Sequence, residues 1–243
     1  MSTGQLPSAL RSFRLQGDIP DNWNAADLQQ HLGGIPLQRI CLIPPPGCAT
    51  EDDVIRLLDV EHRLCELLDG ILVEKTMGWC ESILAGLILT RINVYLESHN
   101  LGKVLGPDGT LRFLPGLVKI PDVSFVSWQR WPQQSPPRRP IPAIIPDLII
   151  EVLSDGNTAD EMEAKLRVYQ QAGVRMIWYI NPKSCDAVCH RSAGESTYIA
   201  RDGVLFGEDV LPDFQLSVSE LFARADQQRP AEEIGRASCR ERV

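Results

Sequence analysis

Two apolar stretches of this chain each carry an acid where a buried strand should carry none. Ile120-Pro-Asp-Val-Ser-Phe-Val126 holds Asp122, and Pro146-Asp-Leu-Ile-Ile-Glu-Val-Leu-Ser154 holds Glu151. Desolvating an ionised carboxylate costs several kcal/mol or more, so each needs a partner, and a divalent cation held between strands is a strong one. About a dozen residues beyond Glu151 lies Lys165, on a stretch with helical periodicity. With Met162 set at zero and about 100° added per residue, Leu166 falls near +40°, Tyr169 near −20°, Ala172 near −80° and Lys165 near −60°. The lysine therefore stands inside the apolar stripe, and its ammonium is expected to turn toward the sheet and the carboxylates.

Phosphodiester hydrolysis needs an activated water, charge relief on the phosphate and support for a leaving alkoxide, which a carboxylate-held metal and a nearby cation can supply. In this reading Asp122 and Glu151 hold Mg²⁺ or Mn²⁺ through hard oxygens, with the Val152 backbone carbonyl as a third ligand. Lys165 orients the attacking water or stabilises developing negative charge. Glu81 is a further candidate, for a second metal, because on its helix it projects close to the Ile88 and Ile92 side.

These residues need a strand pair and a helix to position them. On a strand alternate residues share a face, so Asp147, Ile149, Glu151 and Leu153 point one way and Leu148, Ile150 and Val152 the other. If the Asp122 strand is the neighbour, the two acids meet. Thr158-Ala-Asp-Glu161 is a capping box that opens the Lys165 helix, and Gly173 ends it. Upstream, Thr50-Glu-Asp-Asp53 opens a short helix through Leu58, and Asp69-Gly70 joins two apolar runs as a hairpin. Glu66, Asp69 and Glu74 are expected to serve that hairpin. One long amphipathic helix spans Trp79 to His99, and Gly102 stands just beyond it. Short strands are expected near Val104, from Leu111 to Phe113 and from Val174 to Ile180, with two or three more between Ala187 and Leu205. A closing strand and helix are expected from Asp213 to Phe222. The Pro-rich loop from Trp131 to Pro146 is long enough to be a lid or flap. Trp128, Trp131, Arg138 and Arg139 could contact nucleic acid or form an ordinary exposed loop. The mixed order implies an α/β fold with a mixed central β-sheet flanked by helices.

Length and composition fit one domain with appendages: residues 1–48 as an extended segment, 49–224 as the domain and 225–243 as a tail. The chain has 243 residues, 44% of them hydrophobic and 23% charged, which is enough for a sizeable core. The last eleven residues, 233–243, read as a sequencing adaptor translated in frame and are set aside. Without them the formal net charge moves from −8 to −9, so binding of nucleic acid by phosphate neutralisation alone is disfavoured. No uninterrupted apolar run approaches a membrane span and no signal peptide is evident, so a cytoplasmic location and no membrane are expected. The seven cysteines form no paired framework, and Cys185, Cys189 and His190 lack a second pair to complete a zinc site.

From Leu64 to Phe222 the chain resembles the restriction-endonuclease-like Uma family, part of the PD-(D/E)XK nuclease superfamily, common in bacteria and especially cyanobacteria. Four blocks in order carry the likeness: Cys65-Glu-Leu-Leu-Asp-Gly-Ile-Leu-Val-Glu74, the Asp122 segment, the Glu151 segment, and Lys165-Leu-Arg-Val-Tyr-Gln-Gln-Ala-Gly-Val174 with Trp178-Tyr-Ile-Asn-Pro182. The resemblance implies a restriction endonuclease-like core, with Asp122 as the strand aspartate and Glu151 as the acid of the second strand. It departs at Leu153, where the superfamily places its lysine; in the Uma group that lysine has moved to the following helix, which fits Lys165. The expected activity is Mg²⁺- or Mn²⁺-dependent hydrolysis of DNA phosphodiester bonds by a homodimer. A noncatalytic nucleic-acid-binding or assembly module that keeps the fold is the alternative, and a two-carboxylate glycosidase scarcely explains Lys165.

Overall fold

The computed structural model describes residues 19–20, 22–131 and 140–227. The middle of the Pro-rich loop, with Arg138 and Arg139, and the last eleven residues lie outside these. The chain opens with α1 (Ala25–His31) and β1 (Ile40–Cys41), followed by α2 (Glu51–Glu61), β2 (Cys65–Leu68), β3 (Ile71–Glu74) and α3 (Trp79–Ser98). Four strands come next: β4 (Gly102–Leu105), β5 (Leu111–Leu114), β6 (Leu117–Lys119) and β7 (Val123–Ser127). Beyond the loop are β8 (Leu148–Val152), α4 (Ala159–Ala172), β9 (Met176–Asn181), β10 (Asp186–Arg191), β11 (Ser196–Ile199), β12 (Val204–Phe206), β13 (Gln215–Ser217) and α5 (Val218–Ala225).

The central sheet has six strands in the order β11-β10-β9-β8-β7-β4. Only β8 and β9 are parallel, and α4 supplies the crossover that a parallel pair requires. Its ends are set locally: the Thr158 hydroxyl accepts from Glu161 N at 3.0 Å, and Gly173 at φ +89° closes it. One face of the sheet packs Val123, Phe125, Leu148 and Ile150 against α3 and α5, through residues such as Ile88 and Phe222. The other face packs Ile149 and Ile177 against Met162, Val168 and Tyr169 of α4. By length and composition alone α3 could cross a membrane, although polar and charged residues interrupt its apolar run. Here its Leu84, Ala85, Ile88 and Ile92 are fully buried against the sheet and α5.

A second, antiparallel sheet runs β1-β3-β2-β6-β5. The β2–β3 turn has positive φ at both Asp69 and Gly70 (51° and 71°), the type I′ geometry that suits a right-twisted hairpin. A side chain at Gly70 would run into the Gly47 backbone, so close approach as well as turn geometry fixes that glycine. α2 covers one face of this sheet with Val54 and Leu57. α1 covers the other with Leu28 and Leu32.

That last contact departs from the reading of residues 1–48 as an extension. Asn24 caps α1, accepting from Ala26 N at 2.7 Å, and β1 pairs with β3 in the register Ile40↔Val73. The segment then reaches α4: Thr158 Oγ1 donates to Gly33 O, and a Cβ on Gly33 would stand 2.7 Å from Glu161 N. Periodicity could not reveal this, because a seven-residue helix is too short to print a pattern.

Candidate active site

Two segments that leave the five-stranded sheet pass near one spot. The chain leaves β6 through Ile120-Pro-Asp122 to enter β7, and it leaves β3 through Lys75 to Gly78 to enter α3. β7 is the neighbour of β8, antiparallel, in the register Val123↔Ile150. Extending that ladder by one residue places Asp122 opposite Glu151, on the face away from the α3 core. Directly opposed residues hold their Cβ atoms roughly 4.5–5.5 Å apart, so the arrangement expected from strand alternation is the one found.

Both acids are buried, at 5% and 4% exposure, and every carboxylate oxygen has a partner. Asp122 Oδ2 accepts from Val152 N at 2.7 Å, and Oδ1 lies 2.8 Å from Lys75 Nζ. Glu151 Oε1 accepts from the Tyr169 hydroxyl at 2.5 Å, and Oε2 lies 3.4 Å from Lys165 Nζ. Lys165 therefore turns inward, as its helical angle required. Burial raises the pKa of Glu151, with Lys165 opposing it. For Lys165 burial acts downward, but Glu151, Glu66, Glu161 and Asp122 together outweigh it and raise the pKa. The lysine thus stays an ammonium, which suits it to orient water or stabilise charge and unsuits it as a base. Tyr169, pushed far up by burial and by Glu151, stays a hydroxyl donor.

The remaining candidates line the same small cavity without equal roles. Val152 belongs to it, and its N–H fixes Asp122. Glu81 also reaches it, but its carboxylate folds back over its own helix start, with Oε2 where a side chain at Gly78 would go. Among the described residues no three His, Cys, Asp or Glu side chains group as a metal-ligand set. The hard donors are accordingly the two strand carboxylates and backbone oxygen. Cys189 is a buried core residue, and the His190 ring bonds Ser196 Oγ at 2.7 Å. Trp128 and Trp131 form an edge-to-face pair at 6.1 Å, with Lys103 Nζ over the Trp128 ring.

Several site residues were not singled out by the sequence reading. Glu66, expected to serve the hairpin, instead lines the cavity and pairs with Lys119 at 2.9 Å while accepting from Ile120 N at 3.2 Å. Asp69 pairs with His31 at 3.0 Å, and Glu74 with Arg63 at 2.8 Å. Arg39 brings a guanidinium from the N-terminal segment to Glu161, at 2.9 Å. Lys75 arrives from the end of the hairpin. Glu66 in the apolar run that becomes the buried β2 (Cys65 to Leu67) is the one signal that could have marked it; for Arg39 and Lys75, carboxylate partners on distant segments of the chain leave no trace in local pattern.

Glu66 makes stability depend on pH. Burial by itself raises its pKa, but Lys119, then Lys165, and the Ile120 N–H bring it down to about 2. A folded pKa below the unfolded one gives stability that is full above about pH 4.5 and is lost as pH falls toward about 2, roughly 3 kcal/mol in all. The difference in urea-unfolding free energy between the wild type and Glu66→Gln is therefore expected to be largest near neutrality and to shrink steadily below about pH 4.5. A difference that stays constant down to acid would refute that account.

A mixed sheet flanked by helices, with facing acids on adjacent strands and a lysine from the crossover helix, defines a restriction endonuclease-like nuclease fold. The Uma2 family, described as "Putative restriction endonuclease", matches residues 52–219, and the chain belongs to that family. Among solved structures, that of "a putative nuclease belonging to DUF820" from Anabaena variabilis ATCC 29413 is similar with a TM-score of 0.64. It is 21% identical, over 72% of this chain and 98% of that one, a likeness of fold. No curated protein matches the chain.

Proposed function

We propose that this chain is a divalent-metal-dependent endonuclease that hydrolyses DNA phosphodiester bonds through Asp122, Glu151 and Lys165. One observation carries the reading: two buried carboxylates face each other across adjacent strands, with a lysine ammonium 3.4 Å from one of them. Family membership and the fold support it. The donor set fits a hard cation, since Asp122, Glu151 and the Val152 carbonyl offer oxygen only, which suits Mg²⁺ or Mn²⁺. When bound, such a cation lowers the pKa of its water and relieves charge on the phosphate.

The chain's own residues do the positioning. Val152 N holds the Asp122 carboxylate, and the Tyr169 hydroxyl holds that of Glu151. The Lys165 ammonium, held by several carboxylates, contributes charge next to the attacked phosphate without having to give up a proton. One such site cuts one strand, so a homodimer is the form in which both strands of a duplex would be cleaved.

Supercoiled plasmid and single-stranded DNA, incubated with the protein in EDTA, Mg²⁺ or Mn²⁺, test the proposal. Cleavage is expected only with metal, and Asp122→Asn is expected to lower it at least about a hundredfold. Metal-independent cleavage, or full activity in Asp122→Asn, would overturn it. Absence of both cleavage and metal binding would favour a noncatalytic module that keeps the fold.

A further inference from the structure

Four acid–base pairs surround this site, and a fifth acid, Glu81, lines the same cavity. Glu66 pairs with Lys119, Glu151 with Lys165, Glu161 with Arg39 and Asp122 with Lys75. With Glu81 counted, five acids face four bases and the cluster carries one net negative charge, so a divalent cation added to it would leave an excess of one positive charge in a largely buried place. One cation has to give way, or an anion has to enter.

The four bases are not equally able to move. Lys119 is the last residue of β6 and 5% exposed. Lys165 rises from the middle of α4, a helix packed on the sheet, and faces Glu151 at 3.4 Å. Arg39 is held twice, by Glu161 and by a 3.1 Å bond to Glu74 O. Lys75 differs, because it lies past the end of β3 in the segment leading to α3, anchored at its own backbone N by Leu64 O at 2.8 Å. Its ammonium meets one carboxylate, Asp122, together with one carbonyl, Ile120 O at 2.5 Å. An ammonium lying against a carboxylate and a carbonyl occupies the kind of all-oxygen setting a hard cation uses.

We propose that Lys75 is a displaceable counter-ion for Asp122, which a divalent cation drives off the carboxylate and which then swings on its anchored stem to the phosphate of the incoming nucleic acid. This rests on the metal-dependent reading above and adds its regulation: the protein alone binds metal weakly, and metal and phosphodiester reinforce each other's binding. Lys75 is thus a positioning residue whose ammonium alternates between two anions.

Calorimetry with Mn²⁺ on the full chain, without DNA, tests this. Lys75→Met is expected to bind Mn²⁺ on the order of tenfold more tightly than the wild type, since the competing charge is gone. Lys75→Arg, which keeps a cation, is expected to stay near the wild type. On the unaltered protein, labelling by an amine-reactive reagent is expected to modify Lys75 slowly without metal and roughly threefold or more faster with Mn²⁺, against exposed Lys183 as reference. This second measurement stands even if Lys75→Met does not fold. Unchanged labelling with Mn²⁺ bound to the wild type but not to Asp122→Asn would overturn the role of Lys75 and leave the metal site intact. Equal or weaker Mn²⁺ binding by Lys75→Met would do the same. No Mn²⁺ bound by either the wild type or Lys75→Met would bring down both readings, whereas binding by Lys75→Met alone would support the displacement directly.

Discussion

Glu151→Gln is expected to reduce metal-dependent cleavage of plasmid DNA by about a thousandfold or more, equivalent to roughly 4 kcal/mol of transition-state stabilisation, while the protein stays folded. The substitution keeps the shape of the side chain and an oxygen to accept from Tyr169. It removes the negative charge, which is what a hard cation and the Lys165 ammonium respond to. Folding should be spared for a reason visible in the site: burial already works against the ionised form of Glu151, so a neutral amide relieves a cost even as it loses the ion pair. Lys165 meanwhile keeps Glu66, Glu161 and Asp122 in its field. Paired measurements of cleavage rate and thermal midpoint separate these effects. Activity within about tenfold of the wild type would show that Glu151 is a structural acid, and a collapse of the thermal midpoint would show that the ion pair holds the sheet together.

What was legible in the sequence was whatever local periodicity encodes. Helical angles placed Lys165 on the face that meets the sheet and strand alternation put Glu151 opposite Asp122, and Asp69-Gly70 forms the expected turn; of the expected capping box only the Thr158 half is found, because the Glu161 carboxylate turns to Arg39 and Asn157 instead. Less legible was everything held across the chain. Lys75 and Asp122 are far apart in sequence, and Arg39 and Glu161 are separated by 122 residues. A charged residue whose partner is that distant looks, in its own window, like any solvated charge. Glu66 misled in a related way, because it stands in a hairpin whose turn explains a nearby acid without invoking the site. The short α1 and two-residue β1 fell below the length at which a period can be seen, so the segment that carries Arg39 into the site read as an appendage.

That segment leads to the largest expected effect on stability. Arg39→Ala is expected to cost about 3–5 kcal/mol, the usual result of removing one partner from a buried ion pair. The Arg39 and Glu161 side chains are only 9% and 6% exposed, and without the guanidinium the Glu161 carboxylate keeps only Asn157 Nδ2, at 3.0 Å. The loss would not stop at one charge. Glu161 opens α4 one turn before Lys165, and Gly33 packs so closely on the Glu161 backbone that α1 and α4 must shift together if the pair fails. Replacing both partners, in Arg39→Met with Glu161→Gln, removes the uncompensated charge, so the double variant should lose clearly less than the sum of the single losses, with a coupling of about 2 kcal/mol or more. Urea-unfolding free energies of the wild type, Arg39→Met, Glu161→Gln and the double variant measure this. Additive losses would mean that the two residues stabilise independently, whereas strong coupling would make the N-terminal segment an integral wall of the site, holding the helix that presents Lys165 to the strand acids.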